Sequence, residues 1–266
     1  MKRKKHKKVK TLNFAVAFCI GVVILILMSI ALKTIVLIKN SSFDGSNRFN
    51  VAAVGDNQTS IISFSPSNHT ITLLNLKGKP INNLSQHLGI PIDAQIKKNN
   101  LIFDKTNIAS NVYNVLFHFD NKQTNLTFID LLRLWLFAKD VSPDSIHQRD
   151  LSMEDNLTLN TFTSSFFIDS VVANEKTTIE VINATPTYGL ANRFATFISN
   201  IGADVVLVST SDEYKDNSQI LYSEDLNYTI KKISKILNIK PTKVSKRNIS
   251  EVTVIIGKDI LPSLKF

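Results

Sequence analysis

Residues Thr11–Leu32, TLNFAVAFCIGVVILILMSIAL, run for 22 positions without a charge. As a helix rising about 1.5 Å per residue, such a run reaches across the ~30 Å hydrocarbon core of a bilayer. The ten residues before it, MKRKKHKKVK, hold seven Lys/Arg, whereas only Lys33 and Lys39 follow closely. That asymmetry predicts a cytoplasmic N-terminus. A cleaved leader with a small-x-small site at Ser29-Ile30-Ala31 is the alternative. However, the apolar run exceeds the roughly 7–15 residues of a secretory apolar region, and TIVLI resumes after Lys33. The reading is a retained signal anchor: residues 1–39 form a basic tail and a membrane helix, the membrane is engaged by residues 12–32, and the rest lies outside the cytoplasmic membrane.

The anchor also explains the charge. The whole chain of 266 residues is formally +9. Removing the seven basic residues of the tail leaves 24 basic against 22 acidic side chains, close to neutral. The excess is a topology signal rather than a nucleic-acid face, so no nucleic-acid partner is expected. The single cysteine, Cys19, sits within the apolar run as an inert thiol, with Phe18 where a lipidation signal would want a small residue. The exported part has no cysteine and must be held by its core.

Past a polar linker, Lys39–Asn47, three short β-type runs follow: Phe49–Gly55, Ser60–Ser65 and Thr70–Asn75. The turns GDNQT and PSNH between them make a meander. Ile81–Leu88 reads as a short helix closed by Gly89. In Thr127–Asp140, the residues Phe128, Leu131, Leu132, Trp135 and Leu136 recur at helical spacing, with Thr127 as N-cap. Near the end, Thr178–Asn183, Asp204–Ser209, Gln219–Tyr222 and Val252–Ile256 read as strands. Tyr188–Ile201 and Glu224–Leu237 read as helices, the latter with Leu226, Ile230, Ile233 and Leu237 inward and Lys231, Lys232 and Lys235 outward. The fold class is α/β: the membrane helix, an α+β region over 40–172 with a β-meander and helices, then a small β-α-β-β-α-β domain over 176–260.

The turn after Thr178–Asn183 has the layout of a phosphate loop, but only Gly189 is present where a dinucleotide fingerprint needs three glycines. No Gly-Lys-Ser/Thr ending exists either. The turn serves to start a helix, with Gly189 allowing close packing. Val181–Ala191, V-I-N-A-T-x-x-x-G-L-A, together with Asn200-Ile201-Gly202 and the ending VTVIIGKD at 252–259, resembles the LytR C-terminal domain of bacterial envelope proteins. That domain commonly follows a LytR-CpsA-Psr (LCP) catalytic domain, and Phe49–Asn75 is similar to the opening of that partner. The resemblance implies a transferase that moves a glycopolymer from polyprenyl pyrophosphate to the cell wall, with aspartate-held divalent metal and arginines on the pyrophosphate.

The chain departs from that pattern. Asp56 matches the first acidic position, but Asn57–Ser60 lacks the Arg and Asp that should follow. Leu76-Lys77-Gly78-Lys79-Pro80 replaces an Ile-Pro-Arg-Asp motif, and Arg133 and Arg149 are isolated. Region 40–172 is therefore read as a degenerate, truncated relative. Two functions stay open. One is a non-catalytic envelope module that binds wall glycan, a lipid-linked precursor or an envelope partner, with no cofactor. The other is a working transferase, in which Asp56, Lys77 and Lys79 meet the pyrophosphate and Mg²⁺. Asp56, Lys77 and Lys79 are the candidate ligand-binding residues; no catalytic or metal-ligating residue is assigned. His69, His87, His118 and His147 lie in unlike contexts, and Asp150, Glu154 and Asp155 read as a solvated acidic loop.

Overall fold

The computed structural model describes residues 7–97, 102–120, 122–245, 249–263 and 266. The chain divides into two compact units, Met1–Ser42 and Phe43–Phe266. The first is the helix α1, Lys7–Lys39, of 33 residues, seven residues longer at its C-terminal end than the charge-free run. Within it, Val16–Val36 is long and apolar enough to cross a membrane. Four of the seven basic residues of the tail lie at 1–6, outside the described residues.

The second unit begins with a five-stranded mixed sheet. Its strands are β1 (Phe49–Val54), β2 (Gln58–Ser65), β3 (Thr70–Lys77), β4 (Ala94–Lys97) and β5 (Ile146–Ser152), ordered β4-β1-β2-β3-β5. The antiparallel β1-β2-β3 meander is the one expected. Parallel β4 and β5 flank it, and neither is signalled by a β-rich run. The middle strands are apolar on both faces because both faces are covered. Val51, Ile62, Phe64, Ile71 and Leu73 pack with α3 (Ile108–Phe117) and α4 (Phe128–Asp140). The alternate residues Ala52, Ile61, Leu74 and Leu76 pack on the opposite side with α2 (Leu84–Leu88) and α5 (Asn156–Phe166). Each fully buried aliphatic side chain contributes about 1.5–3 kcal/mol, so this double cover dominates the stability of the region.

Local signals fix the helix ends. Thr127 caps α4 through a capping box: its hydroxyl accepts from Asp130 N–H at 3.1 Å, while Asp130 accepts from Thr127 N–H at 2.8 Å. The buried face of α4 is Leu131, Leu134 and Ala138; Phe128 and Leu136, expected inward, are exposed. The reason is that α3 meets α4 along one side, which rotates the covered stripe. Of the expected acidic loop, Asp150 lies on β5 and Asp155 caps α5, accepting from Thr158 N–H.

A short helix α6 (Ser170–Glu175) leads into the second sheet. Its strands are β6 (Thr178–Asn183), β7 (Asp204–Thr210), β8 (Gln219–Tyr222), β9 (Thr242–Lys243) and β10 (Val252–Ile256), ordered β7-β6-β10-β8-β9. With α7 (Leu190–Ser199) and α8 (Tyr228–Leu237), the order is the expected β-α-β-β-α-β plus the two-residue β9. Here one face does the packing: Ile179, Val181, Val252, Val254 and Ile256 meet Phe194, Ile198, Ile230 and Ile233 of the two helices. On the other face Glu180 pairs across β6 and β7 with Leu207, which is exposed.

Candidate functional site

The residues that carry the C-terminal resemblance do structural chemistry. Asn183 closes the turn after β6: its carboxamide oxygen accepts from Thr185 N–H at 3.1 Å and Thr185 Oγ1 at 2.8 Å, and its Nδ2 donates to Thr187 O at 2.8 Å. Gly189 caps α7 with φ +74°, a left-handed conformation that favours glycine. Nothing lies within 4 Å of where its Cβ would stand, so backbone conformation, not the close packing expected from the sequence, explains it.

Gly257 is the position that needs closeness. A Cβ there would stand 2.6 Å from the Asn217 carbonyl carbon. Beside it Asp259 accepts from Ser218 N–H at 2.9 Å and Ser218 Oγ at 2.6 Å, and Lys258 pairs with Asp216 at 2.9 Å. The closing Gly-Lys-Asp thus clamps the loop before β8 onto the end of β10.

The three candidate ligand-binding residues gather at one end of the first sheet. Asp56 is in the β1–β2 turn, Lys77 ends β3, and Lys79 follows; all three are exposed. Gly78 N–H donates to Asn57 O at 3.0 Å, which ties the two segments together. None of the three side chains makes a hydrogen bond or ion pair among the described residues. An exposed, unheld ammonium acts in a high local dielectric and does little to stabilise a transition state. Among the described residues no group of three His, Cys, Asp or Glu could hold a metal ion.

The concentrated electrostatics are elsewhere, where the second sheet's helices meet the first sheet. Lys232, expected outward with Lys231 and Lys235, is buried at 8 % exposure. Its ammonium donates to Arg48 O at 3.1 Å and stands 3.7 Å from the Asp169 carboxylate. Asp169, 1 % exposed, also accepts from Tyr228 OH at 2.9 Å and caps α6. Burial first, then the Asp169 charge and hydrogen bond, push the Tyr228 phenol well above its ordinary range.

The Arg48 guanidinium donates to Ser63 Oγ at 2.8 Å and Phe166 O at 2.9 Å; its Nε has no partner. Burial lowers its pKa to about 10, although Asp169 and Tyr228 pull the other way. Lys235 reaches Asp93 at 3.9 Å, and Asn200 Nδ2 donates to Gly89 O at 2.9 Å. Glu175 receives Tyr228 N–H and Thr229 N–H at 2.9 and 2.7 Å, a carboxylate at the positive end of α8. Leu226, expected in the α8 core stripe, precedes the helix and is exposed.

This seam opens into two clefts. One, of about 310 Å³, is lined by Asn83, Ser85, Asp93, Lys232 and Lys235. The other, of about 580 Å³, is lined by Gln86, Asn160, Asn192, Arg193, Thr196 and Asn200, with Phe197 and Phe266. Both mix amides, hydroxyls and cations with apolar walls, Leu84, Ile92, Phe197 and Ile236 in the first and Phe197 and Phe266 in the second, a chemistry suited to ligands that join hydroxyl or anionic groups to an apolar part. Sequence reasoning named Lys232, Lys235 and Asn200 for other reasons and missed the rest, because the lining comes from six separate segments that only the fold brings together.

The model of one family, the LytR cell envelope-related transcriptional attenuator, matches residues 176–259, the second sheet and its helices. The first sheet lies outside that match. No curated protein and no solved structure matches the chain. An N-terminal helix able to cross a membrane and a C-terminal LytR-type domain together fit a cell-envelope protein.

Proposed function

We propose that the protein is a single-pass membrane protein with a cytoplasmic N-terminus, whose two sheets act outside the membrane as one non-catalytic module that binds wall glycan, a lipid-linked precursor or an envelope partner. The observation that carries this reading is the buried Arg48–Asp169–Lys232 network. It spends buried charge on joining the family-matched domain to the first sheet, which makes the clefts between them persistent features. By contrast, the side chains of Asp56, Lys77 and Lys79 make no hydrogen bond or ion pair among the described residues that would fix them in a catalytic geometry.

A second reading, a glycopolymer transferase that uses Mg²⁺, is favoured by one fact: the Gly78–Asn57 hydrogen bond keeps Asp56 near both lysines. The full-length protein in nanodiscs, titrated with polyprenyl phosphate with and without Mg²⁺, separates the two. Metal-independent binding that survives Lys77→Ala and Lys79→Ala supports the binding module. Metal-dependent binding lost in both variants supports the transferase. A reporter enzyme fused after Phe266 that is active only in the cytosol removes both.

A further inference from the structure

The seam does not use a cavity of about 900 Å³ that lies against β5 and α5. Its lining on the strand side is continuous from Ile146 to Leu151, both alternating sets included. A cavity resting on one face of a strand would touch only every second residue; contact with all of them means that it runs along the strand's edge. β5 is outermost in the sheet and all seven of its residues are paired with β3 on one side; among the described residues, its outer edge from Ile146 to Leu151 has no backbone partner, and only Ser152 O at its end accepts from Asp155 N–H.

The opposite wall is one face of α5: Thr158, Thr161, Phe162, Ser165 and Phe166 follow helical spacing. A slot between a bare strand edge and a helix is the shape that accepts an extended chain by strand addition. Natural edge strands are blunted by proline, by bulges, by cover or by charge; Ile146–Ser152 has no proline and pairs in unbroken register, and Arg149 and Asp150 are the charges that would turn away a strand without complementary ones. Six strand residues span about 20 Å, so the slot takes about six residues of ligand.

Charge and shape describe that ligand. Lys105 and Arg149 line the slot, and neither side chain makes an ion pair or hydrogen bond among the described residues. The one carboxylate there, Asp150, is engaged by Asn75 Nδ2 at 2.8 Å and Gln148 Nε2 at 3.3 Å. Phe162 and Phe166 stack at 4.6 Å, and His147 lies 5.8 Å from Phe166, giving an apolar patch beside the cations. We propose that the β5–α5 slot binds an extended acidic peptide segment of a partner protein as a sixth strand of the first sheet. This deepens the binding reading above by naming the partner class; it does not depend on glycan or lipid binding.

The probe is a fluorescein-labelled seven-residue peptide that alternates glutamate with valine, titrated into full-length protein in nanodiscs. Two further copies carry N-methyl groups on one or the other alternate set of amides. Saturable binding is expected, lost in one methylated copy only, and weakened about tenfold by Arg149→Glu, an exposed residue whose variant is checked by its melting curve. A lysine-for-glutamate peptide should bind Arg149→Glu better than the parent.

No saturable binding by about 1 mM overturns the proposal. So does binding indifferent to both methylations, which would mean a charge patch alone, or equal displacement by poly(glycerol phosphate), which would mean a polyanion site. Because the probe is a peptide, failure here leaves the polyprenyl phosphate result standing, and the converse also holds.

Discussion

The two sheets solve the same problem in different ways. The first is covered by helices on both faces, so its central strands read as unbroken apolar runs. The second buries one face under α7 and α8 and leaves Glu180 and Leu207 on the other. The first region therefore owns more core, whereas the second owns the recognisable motifs, since a two-layer domain depends on precise turns and clamps at its ends. The comparison teaches that motif density does not track core size or cavity content: the family-matched domain shares the seam clefts, while the slot of about 900 Å³ lies in the unmatched region.

The strongest way to break this picture is at the seam. Lys232→Ala strands Asp169 in a buried site and should cost about 3–5 kcal/mol. Calorimetry should then show two transitions, the second sheet melting first, where the parent is expected to show one; one unsplit transition in the variant would mean that the sheets are coupled by packing alone. Next comes Gly257→Ala, which drives a methyl into the Asn217–Ser218 backbone and should destabilise by about 2–3 kcal/mol. The loss should appear in hydrogen exchange of β8 and β10 and leave β1–β3 unchanged.

Thr127→Ala removes the capping box and should cost about 1 kcal/mol, confined to the first region. Acid titration sharpens the contrast further. For Asp44, burial raises the pKa, but hydrogen bonds from Ser46 and Asn47 and the charge of Lys235 outweigh it, so the folded carboxyl sits below its usual range. Its stabilisation is present above the unfolded pKa and lost as pH falls through the folded one. Glu251, in the second region, is raised by burial and by Glu224. It weakens the fold as pH rises through the carboxylate range and relieves it on acidification. Asp44→Asn should flatten the acid limb of the first region's stability curve, and Glu251→Gln should raise the second region's stability at neutral pH. Lys77→Ala, at an exposed site with no side-chain partner among the described residues, should change the stability read from the melting curve least, within about 0.5 kcal/mol.

Much of the second sheet was legible in the sequence because its two main helices and β6 are amphipathic with a clean period, β10 is a short apolar run, and the turns carry Gly and Asn where positive φ or an Asx turn is needed. The meander was legible for a different reason: its strands are short apolar runs separated by Gly/Asn and Pro/Ser/Asn turns. The strand β5, Ile146–Ser152, was not: five of the seven residues of IHQRDLS are charged or polar, as suits an edge beside an open slot, and nothing local marks it as β. Helices α3 and α5 escaped because their apolar residues are interrupted by Asn, Ser and Thr, and their covering role comes from the sheet beneath. Lys232 was misjudged because helical spacing sets it beside other lysines, whereas only contact with Arg48 and Asp169 takes it out of water.

The linear chain alone dictated an oil-soluble rod of membrane length, the alternating and helical patterns, and the glycine and asparagine punctuation, since these express short-range sterics and the partition of single residues between water and oil. Only the folded arrangement decided which cation would be buried, which strand would keep an open edge, and where clefts would form. Those properties depend on groups more than a hundred positions apart, such as Arg48 and Lys232, and local sequence carries no term for their meeting.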